Sequence, residues 1–316
     1  MTVARRSPCR KDTGFHTLFH QKHAPCFLRW QVSLVHTGGI HPCYIRSHNN
    51  RMLIDTHAHL YLDAFDDDRE DVIDRAREAG VEAIVLPAID VPSIHAALDL
   101  CARFDGLYAM AALHPSATKE ATEKELYEVA DLCEEEAVVA VGESGLDYYW
   151  DRSFDDKQQF FLRQHIHMAA EKGLPLVLHN REATDDLLKI VGSEREKLDD
   201  PESLTGIFHC FVGTKEEGES IVELGFLLGL GGILTFKNST VDEAVRELPL
   251  QKMVVETDAP YLAPEPRRGK RNEPAFVRHV AEYLADVKEM PFEDLAERTT
   301  QTARQIFGID IKASTL

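Results

Sequence analysis

The sequence predicts an α/β protein, a TIM-type (β/α)8 barrel, on three observations. Eight short apolar runs follow one another from residue 53 onward; stretches with apolar residues three and four apart separate them; and no G-x-G-x-x-G follows the first run, as an open dinucleotide-binding sheet requires. With 316 residues, 44% hydrophobic and 28% charged, the chain can build one such barrel and a large core without a second domain.

In chain order, the predicted strands are Leu53–His57, Ala83–Ala88, Leu107–Leu113, Val138–Gly142, Leu174–His179, Leu204–His209, Phe226–Leu230 and Met253–Thr257. Each is brief, β-branched or apolar, and bounded by turn residues or charge, as buried parallel strands are. Helical spacing marks Asp67–Ala79, Phe154–Lys172 and Thr240–Leu248 between them. Two further helices, near Pro274–Lys288 and Pro291–Phe307, are expected to finish the chain.

The net charge of −19 conceals two kinds of sequence: residues 1–51 carry eight Lys/Arg and one acidic residue, leaving the remainder at −26. So acidic a body is a poor non-specific binder of duplex nucleic acid, so a phosphate substrate must be held locally. Residues 1–51 show no sustained periodicity and are expected to be a disordered or non-native extension, with residues 52–316 forming the functional barrel. A transit segment is the alternative for this acid-poor stretch. The spacing of Cys9, Cys26 and Cys43 with His16, His20 and His23 matches no standard zinc pattern. The six cysteines form no C-x-x-C pair and no apolar run approaches the roughly 18 to 20 residues of a membrane span, so a soluble, cytoplasmic protein is expected.

Chemistry concentrates at the C-terminal ends of five predicted strands, the rim where barrel enzymes build their sites. The first strand ends in His57-Ala-His59, and in extended backbone residues two apart face one side, so both imidazoles can reach one ion. Glu143 follows the fourth strand, where a carboxylate can bridge two cations; His179 and His209 tip the fifth and sixth; Glu256 and Asp258 close the eighth. Singly, each has an ordinary reading: a satisfied core histidine, a solvated turn acid. Together they predict two divalent ions sharing Glu143 and an activated water, with His57, His59 and Asp258 around one ion and His179 and His209 around the other.

The runs D-T-H-A-H-L, G-E-S-G-L-D-Y, L-H-N-R-E, F-H-C-F and E-T-D-A-P-Y-L-A-P, with the later R-G-K-R-N-E-P, resemble the ordered motifs of the TatD family of metal-dependent deoxyribonucleases over about residues 52–308. The resemblance implies that His57, His59, Glu143, His179, His209 and Asp258 are the metal ligands. It further implies that Asp258 doubles as the acid/base and that DNA is the substrate, attacked from a 3′ end. Two departures stand out: His114-Pro-Ser116 where many relatives read H-P-H, and Ser144 where an aliphatic residue is common.

Four residues are substrate-contact candidates: His114; Arg181, which can fork onto a phosphate or pair with Glu256; and Arg268 and Arg271 in the basic segment Pro266–Asn272. Lys237 reads as a solvated loop lysine, and His165 and His167 face different ways on a predicted helix and receive no function. The expected activity is two-metal hydrolysis of phosphodiesters, with DNA ends or single strands as substrate, no organic cofactor, and Mg²⁺, Mn²⁺ or Zn²⁺ as the metal. A hydrolase of ester, lactone, amide or aminoacyl-tRNA bonds is the enzymatic alternative; a non-catalytic, metal-stabilised binding protein is the other.

Overall fold

The computed structural model describes residues 53–309, so the expectations for residues 1–51 lie outside the described residues. The eight apolar runs become strands β1 (Leu53–Asp55), β2 (Val81–Leu86), β3 (Leu107–Met110), β4 (Val138–Asp147), β5 (Leu176–Arg181), β6 (Gly206–Phe208), β7 (Leu227–Leu230) and β8 (Met253–Val255). All pair in parallel in the order β1 to β8. A bridge between Ala58 and Ala259 and the Thr56 N–H on Val255 O bring the last strand back to the first.

Helices α1 (Arg69–Glu78), α2 (Val91–Arg103), α3 (Glu123–Leu132), α4 (Asp155–Lys172), α5 (Thr184–Arg195), α6 (Lys215–Glu223), α7 (Val241–Glu247) and α8 (Val277–Val287) follow their strands, and α9 (Phe292–Phe307) ends the described chain. Several starts are written locally: Asp90, Thr122 and Thr214 each form reciprocal capping boxes that satisfy otherwise orphaned N–H groups. Every strand contributes to one apolar cluster, including Ile54, Val85, Met110, Val177, Ile207 and Val254, which Phe307 and Ile309 join from the C-terminal segment. Arg304 of α9 reaches Glu82 near the start of β2, so α9 sits at the rim opposite the strand C-termini. Among the described residues, no helix is long and apolar enough to cross a membrane.

The first, second, third, sixth and eighth predicted strands run one to three residues past the observed ends, because the strand tips leave the regular ladder as they enter the barrel mouth. Their backbone still bonds neighbouring tips: Asp258 N–H to His57 O, and His209 N–H to Leu178 O. β4 instead runs five residues beyond its prediction. Against β5 its register shifts between Val141 and Ser144, three residues on β4 matching two on β5. Val141 packs in the outer apolar layer, and strict alternation would send Glu143 the same way. The extra residue reverses the alternation and turns Glu143 into the barrel mouth. Gly145 lies opposite His179 with φ +136°, and a Cβ there would sit 2.0 Å from His179 O, so only glycine lets β4 and β5 approach where Glu143 meets His179.

Candidate metal centre

The six predicted ligands converge in the barrel mouth around Glu143, whose two carboxylate oxygens face different histidines. Oε2 lies 3.2 Å from His57 Nε2 and 3.9 Å from His59 Nε2. Oε1 lies 2.8 Å from His179 Nδ1 and 3.7 Å from His209 Nε2. Asp258, at φ 58°, points Oδ1 to His59 Nε2 at 3.4 Å and His57 Nε2 at 3.9 Å, joining the Oε2 side. The His57 and His209 rings stack at 3.5 Å and 15°, placing the two halves back to back.

What lies behind each ring decides which nitrogen faces inward. His209 Nδ1 is 2.8 Å from Glu256 Oε1, which also accepts the Cys210 N–H at 2.6 Å. His179 Nε2 meets Asp147 Oδ2 at 3.0 Å, and His59 Nδ1 meets the Tyr61 hydroxyl at 2.8 Å. A carboxylate behind an imidazole holds the proton on that side and leaves a lone pair on the inward nitrogen, as a metal ligand needs. His57 is fully buried and neither ring nitrogen has a hydrogen bond of good geometry. A buried, orphaned imidazole beside a carboxylate calls for a partner of positive charge. Donor chemistry, inward lone pairs and the orphaned His57 all fit a divalent cation.

His114 differs. Its Nδ1 accepts the Ser116 N–H at 3.1 Å and lies 2.7 Å from Ser116 Oγ, so in the neutral ring the proton sits on Nε2, which faces Glu143 Oε1 at 3.6 Å. Burial lowers its pKa to about 3, keeping it neutral. An inward N–H suits a hydrogen bond to substrate oxygen better than a metal.

Without cations the cluster holds protons instead. Burial opposes charge on His209, yet Glu256 and Glu143 carry its pKa up to about 10. Burial likewise opposes charge on His179, which Asp147 and Glu143 raise to about 9. Burial pushes Glu143 upward, but His57, His114 and His209 hold it well below the carboxylate range. Asp258 follows the same logic: burial raises it, while the hydrogen bond from His59 and the charges of His209 and His57 bring it net lower.

The substrate candidates separate. Arg271 is taken: it forks onto Asp68 at 2.7 and 2.8 Å, donates to Ala64 O at 2.7 Å and covers Phe65, so it pins the basic segment to the α1 side rather than offering a free guanidinium. Arg268 lies over Phe236 at 3.6 Å and meets no carboxylate among the described residues. Arg181 does not pair with Glu256, which faces His209 and Cys210; its guanidinium carbon lies over the Tyr149 ring at 3.9 Å. Lys237 is exposed.

Other participants were less visible in the sequence. Asp147, inside the G-E-S-G-L-D-Y run, positions His179; its four-residue spacing from Glu143 was the available signal. Asp55 opens D-T-H-A-H-L; fully buried, and pushed up to about 8 by that burial, it accepts from the Thr257 hydroxyl at 2.6 Å and N–H at 2.9 Å, tying β1 to the Asp258 turn. His165 is buried with Nδ1 2.8 Å from Ser144 Oγ, while His167 turns out to Glu194 at 3.0 Å, consistent with their expected divergence.

A parallel eight-stranded barrel with histidines and carboxylates gathered at its C-terminal strand ends defines a metal-dependent hydrolase. The family model for TatD-related DNases matches residues 54–308, and the chain belongs to that family. It is 43% identical over 260 residues to an uncharacterized metal-dependent hydrolase of Bacillus subtilis, YabD, covering 82% of this chain and all of that protein. YcfH of Escherichia coli K12, also described as an uncharacterized metal-dependent hydrolase, is 37% identical over 265 residues, covering 82% of this chain and 96% of YcfH. The crystal structure of the TatD homologue YjjV from Escherichia coli K12 superposes with a TM-score of 0.77 at 29% identity, over 82% of this chain and 99% of that one.

Proposed function

We propose that this chain is a two-metal phosphodiesterase of nuclease type, acting on DNA ends or single strands with attack from the 3′ end. One observation carries the two-metal part: Glu143 addresses His57 and His59 through Oε2 and His179 and His209 through Oε1. A carboxylate serving two histidine pairs with different oxygens has the form of a bridging ligand. In this reading His57, His59 and Asp258 complete one site and His179 and His209 the other. Divalent ions there, Mg²⁺, Mn²⁺ or Zn²⁺, would lower the pKa of a shared water and offset charge on the attacking and leaving oxygens. Asp258, ionised and within reach of the shared site, takes the proton from the attacking water. His114 donates Nε2–H to a phosphate oxygen, while Arg181 and Arg268 supply positive charge to the strand. The family's DNase description supports the choice of phosphodiester.

The test compares metal-loaded protein on 3′-labelled single-stranded DNA and bis-p-nitrophenyl phosphate with carboxyl-ester, lactone and aminoacyl-tRNA substrates. Asp258→Asn is expected to lose roughly 10²- to 10⁴-fold in kcat while retaining metal, whereas Glu143→Ala loses occupancy at both sites. Faster turnover of a lactone or carboxyl ester than of any phosphodiester would overturn the nuclease reading. An Asp258→Asn enzyme of normal rate would overturn the role of Asp258.

A further inference from the structure

Two exposed large apolar side chains stand together just past β4, the strand that carries Glu143. Trp150 is 74% and Tyr149 49% exposed, and their rings meet edge to face at 4.8 Å. Exposed indoles are costly to leave in water and mark contact surfaces. This pair is keyed to the site: Asp147, whose Oδ2 positions His179, accepts the Tyr149 N–H on Oδ1 at 3.0 Å, and Gln158 fixes the Asp147 backbone from both sides. Trp150 and Asp147 also line one cleft with Lys119, Phe154 and Gln158. The indole therefore follows, three residues on, the acid that orients the candidate ligand His179.

The cations around this rim differ in what occupies them. Arg152 lies over Tyr148 and pairs with Asp155; Lys119 lies over Phe154 and pairs with Asp151. Arg181 lies over Tyr149 at 3.9 Å and near Trp150 at 5.2 Å, yet meets no carboxylate among the described residues. Its charge helps hold the Asp147 carboxyl low across the β4–β5 pairing, but it forms no ion pair of its own among the described residues, so a guanidinium against an exposed indole, in a strongly acidic body, offers one group for a phosphate and another for a flat ring. Nucleic acid single strands carry both at the spacing of one nucleotide.

We infer that Tyr149, Trp150 and Arg181 form a nucleotide subsite in which the indole stacks on one base of a single strand and Arg181 holds an adjoining phosphate, presenting the strand end to the metal centre. This rests on the phosphodiesterase reading for its substrate, but its physical content is binding. Base recognition by stacking tolerates any sequence and excludes paired bases, so the subsite selects single-stranded ends over intact duplex.

The experiment measures binding of fluorescently labelled, phosphorothioate-protected oligodeoxynucleotides to the full-length, metal-loaded protein by anisotropy, and cleavage of the unprotected strands in parallel. Strands carry a normal base or an abasic site at each of the first three positions from the 3′ end. One position should bind roughly 5- to 150-fold more weakly when abasic, the range expected for one stacked base. Trp150→Ala should abolish that difference and Trp150→Phe retain most of it. The side chain is exposed, so folding should survive, and circular dichroism checks it. Wild type with no base discrimination, or Trp150→Ala with undiminished discrimination, overturns the subsite. A wild-type dimer in sedimentation that Trp150→Ala dissolves also overturns it, because the indole then covers a second copy. Discrimination without phosphodiester cleavage supports the subsite and sinks the nuclease reading; cleavage without discrimination does the reverse.

Discussion

Glu256 is the residue whose alteration most sharply separates orientation from ligation. It is buried, and its Oε1 accepts the Cys210 N–H at 2.6 Å and lies 2.8 Å from His209 Nδ1. The substitution Glu256→Gln would keep an oxygen for both donors but remove the charge that makes His209 basic. Altering such a supporting carboxylate typically costs 10- to 100-fold in metal affinity, about 1.4 to 2.7 kcal/mol. Glu256→Ala removes the acceptor of the Cys210 N–H and the carboxylate beside His209 Nδ1, about 1–3 kcal/mol for the lost hydrogen bond, and should lower the melting temperature of the metal-free protein as well. Gly229→Ala reaches the same carboxylate from outside, since its Cβ would stand 2.4 Å from Glu256 Oε2 and must displace it. Chelator-buffered titrations with Mn²⁺ or Zn²⁺, elemental analysis and calorimetry of the metal-free variants give the three readouts. Wild-type metal affinity in Glu256→Gln would refute the orienting role, whatever its effect on melting.

Further outcomes follow from the charges. His209 and His179, raised to about 10 and 9, carry protons at neutral pH in the metal-free protein. Metal binding must therefore expel those protons, and apparent affinity should climb as pH rises from 7 toward 9; calorimetry in buffers of different ionisation enthalpy counts them, and none released would contradict the inward lone pairs of the two rings. Because both folded-state values lie above the ordinary 6.5, their contribution to metal-free stability is complete below that pH and fades as pH rises through 9 to 10, so the metal-free protein alone should lose melting temperature there. Arg271→Ala should lower the melting temperature by about 2–4 °C, from roughly 1 kcal/mol lost with Asp68, with little change in oligonucleotide KM. Arg268→Ala should raise that KM and flatten the log–log salt dependence by about 0.7, the contribution of one phosphate contact to a single strand; equal behaviour of the two arginines would remove the distinction between them.

The barrel was legible because each strand is a buried apolar run, whose signal is local. The convergence of the candidate ligands was legible because strand-end position implies it once the fold is assumed. Side-chain direction was not. Nothing in Val-Gly-Glu143 announces the extra residue that turns Glu143 inward; that appears only when β4 is laid against β5. Nor does spacing tell which nitrogen of His114 faces the site, because Ser116 decides it through a backbone N–H. Arg271 and Arg268 look equivalent in sequence, and only Asp68, some 200 residues away in the chain, tells them apart.

The two departures from the family motifs are where local reading and tertiary context meet. Ser116, where the motif resemblance leads one to expect a histidine, meets His114 Nδ1 with both its hydroxyl and its N–H, and so fixes the ring. Ser144 is buried and faces α4, where a lone hydroxyl would be a buried cost. His165 answers it: Leu113 N–H donates to Nε2 at 3.4 Å, which leaves the proton on Nδ1 to reach Ser144 Oγ at 2.8 Å. The bridge joins the residue before His114 to the residue after Glu143. A histidine without evident chemistry on a helix thus joins two tips of the barrel mouth, and the hydroxyl beside Glu143 is turned away from the site onto that histidine.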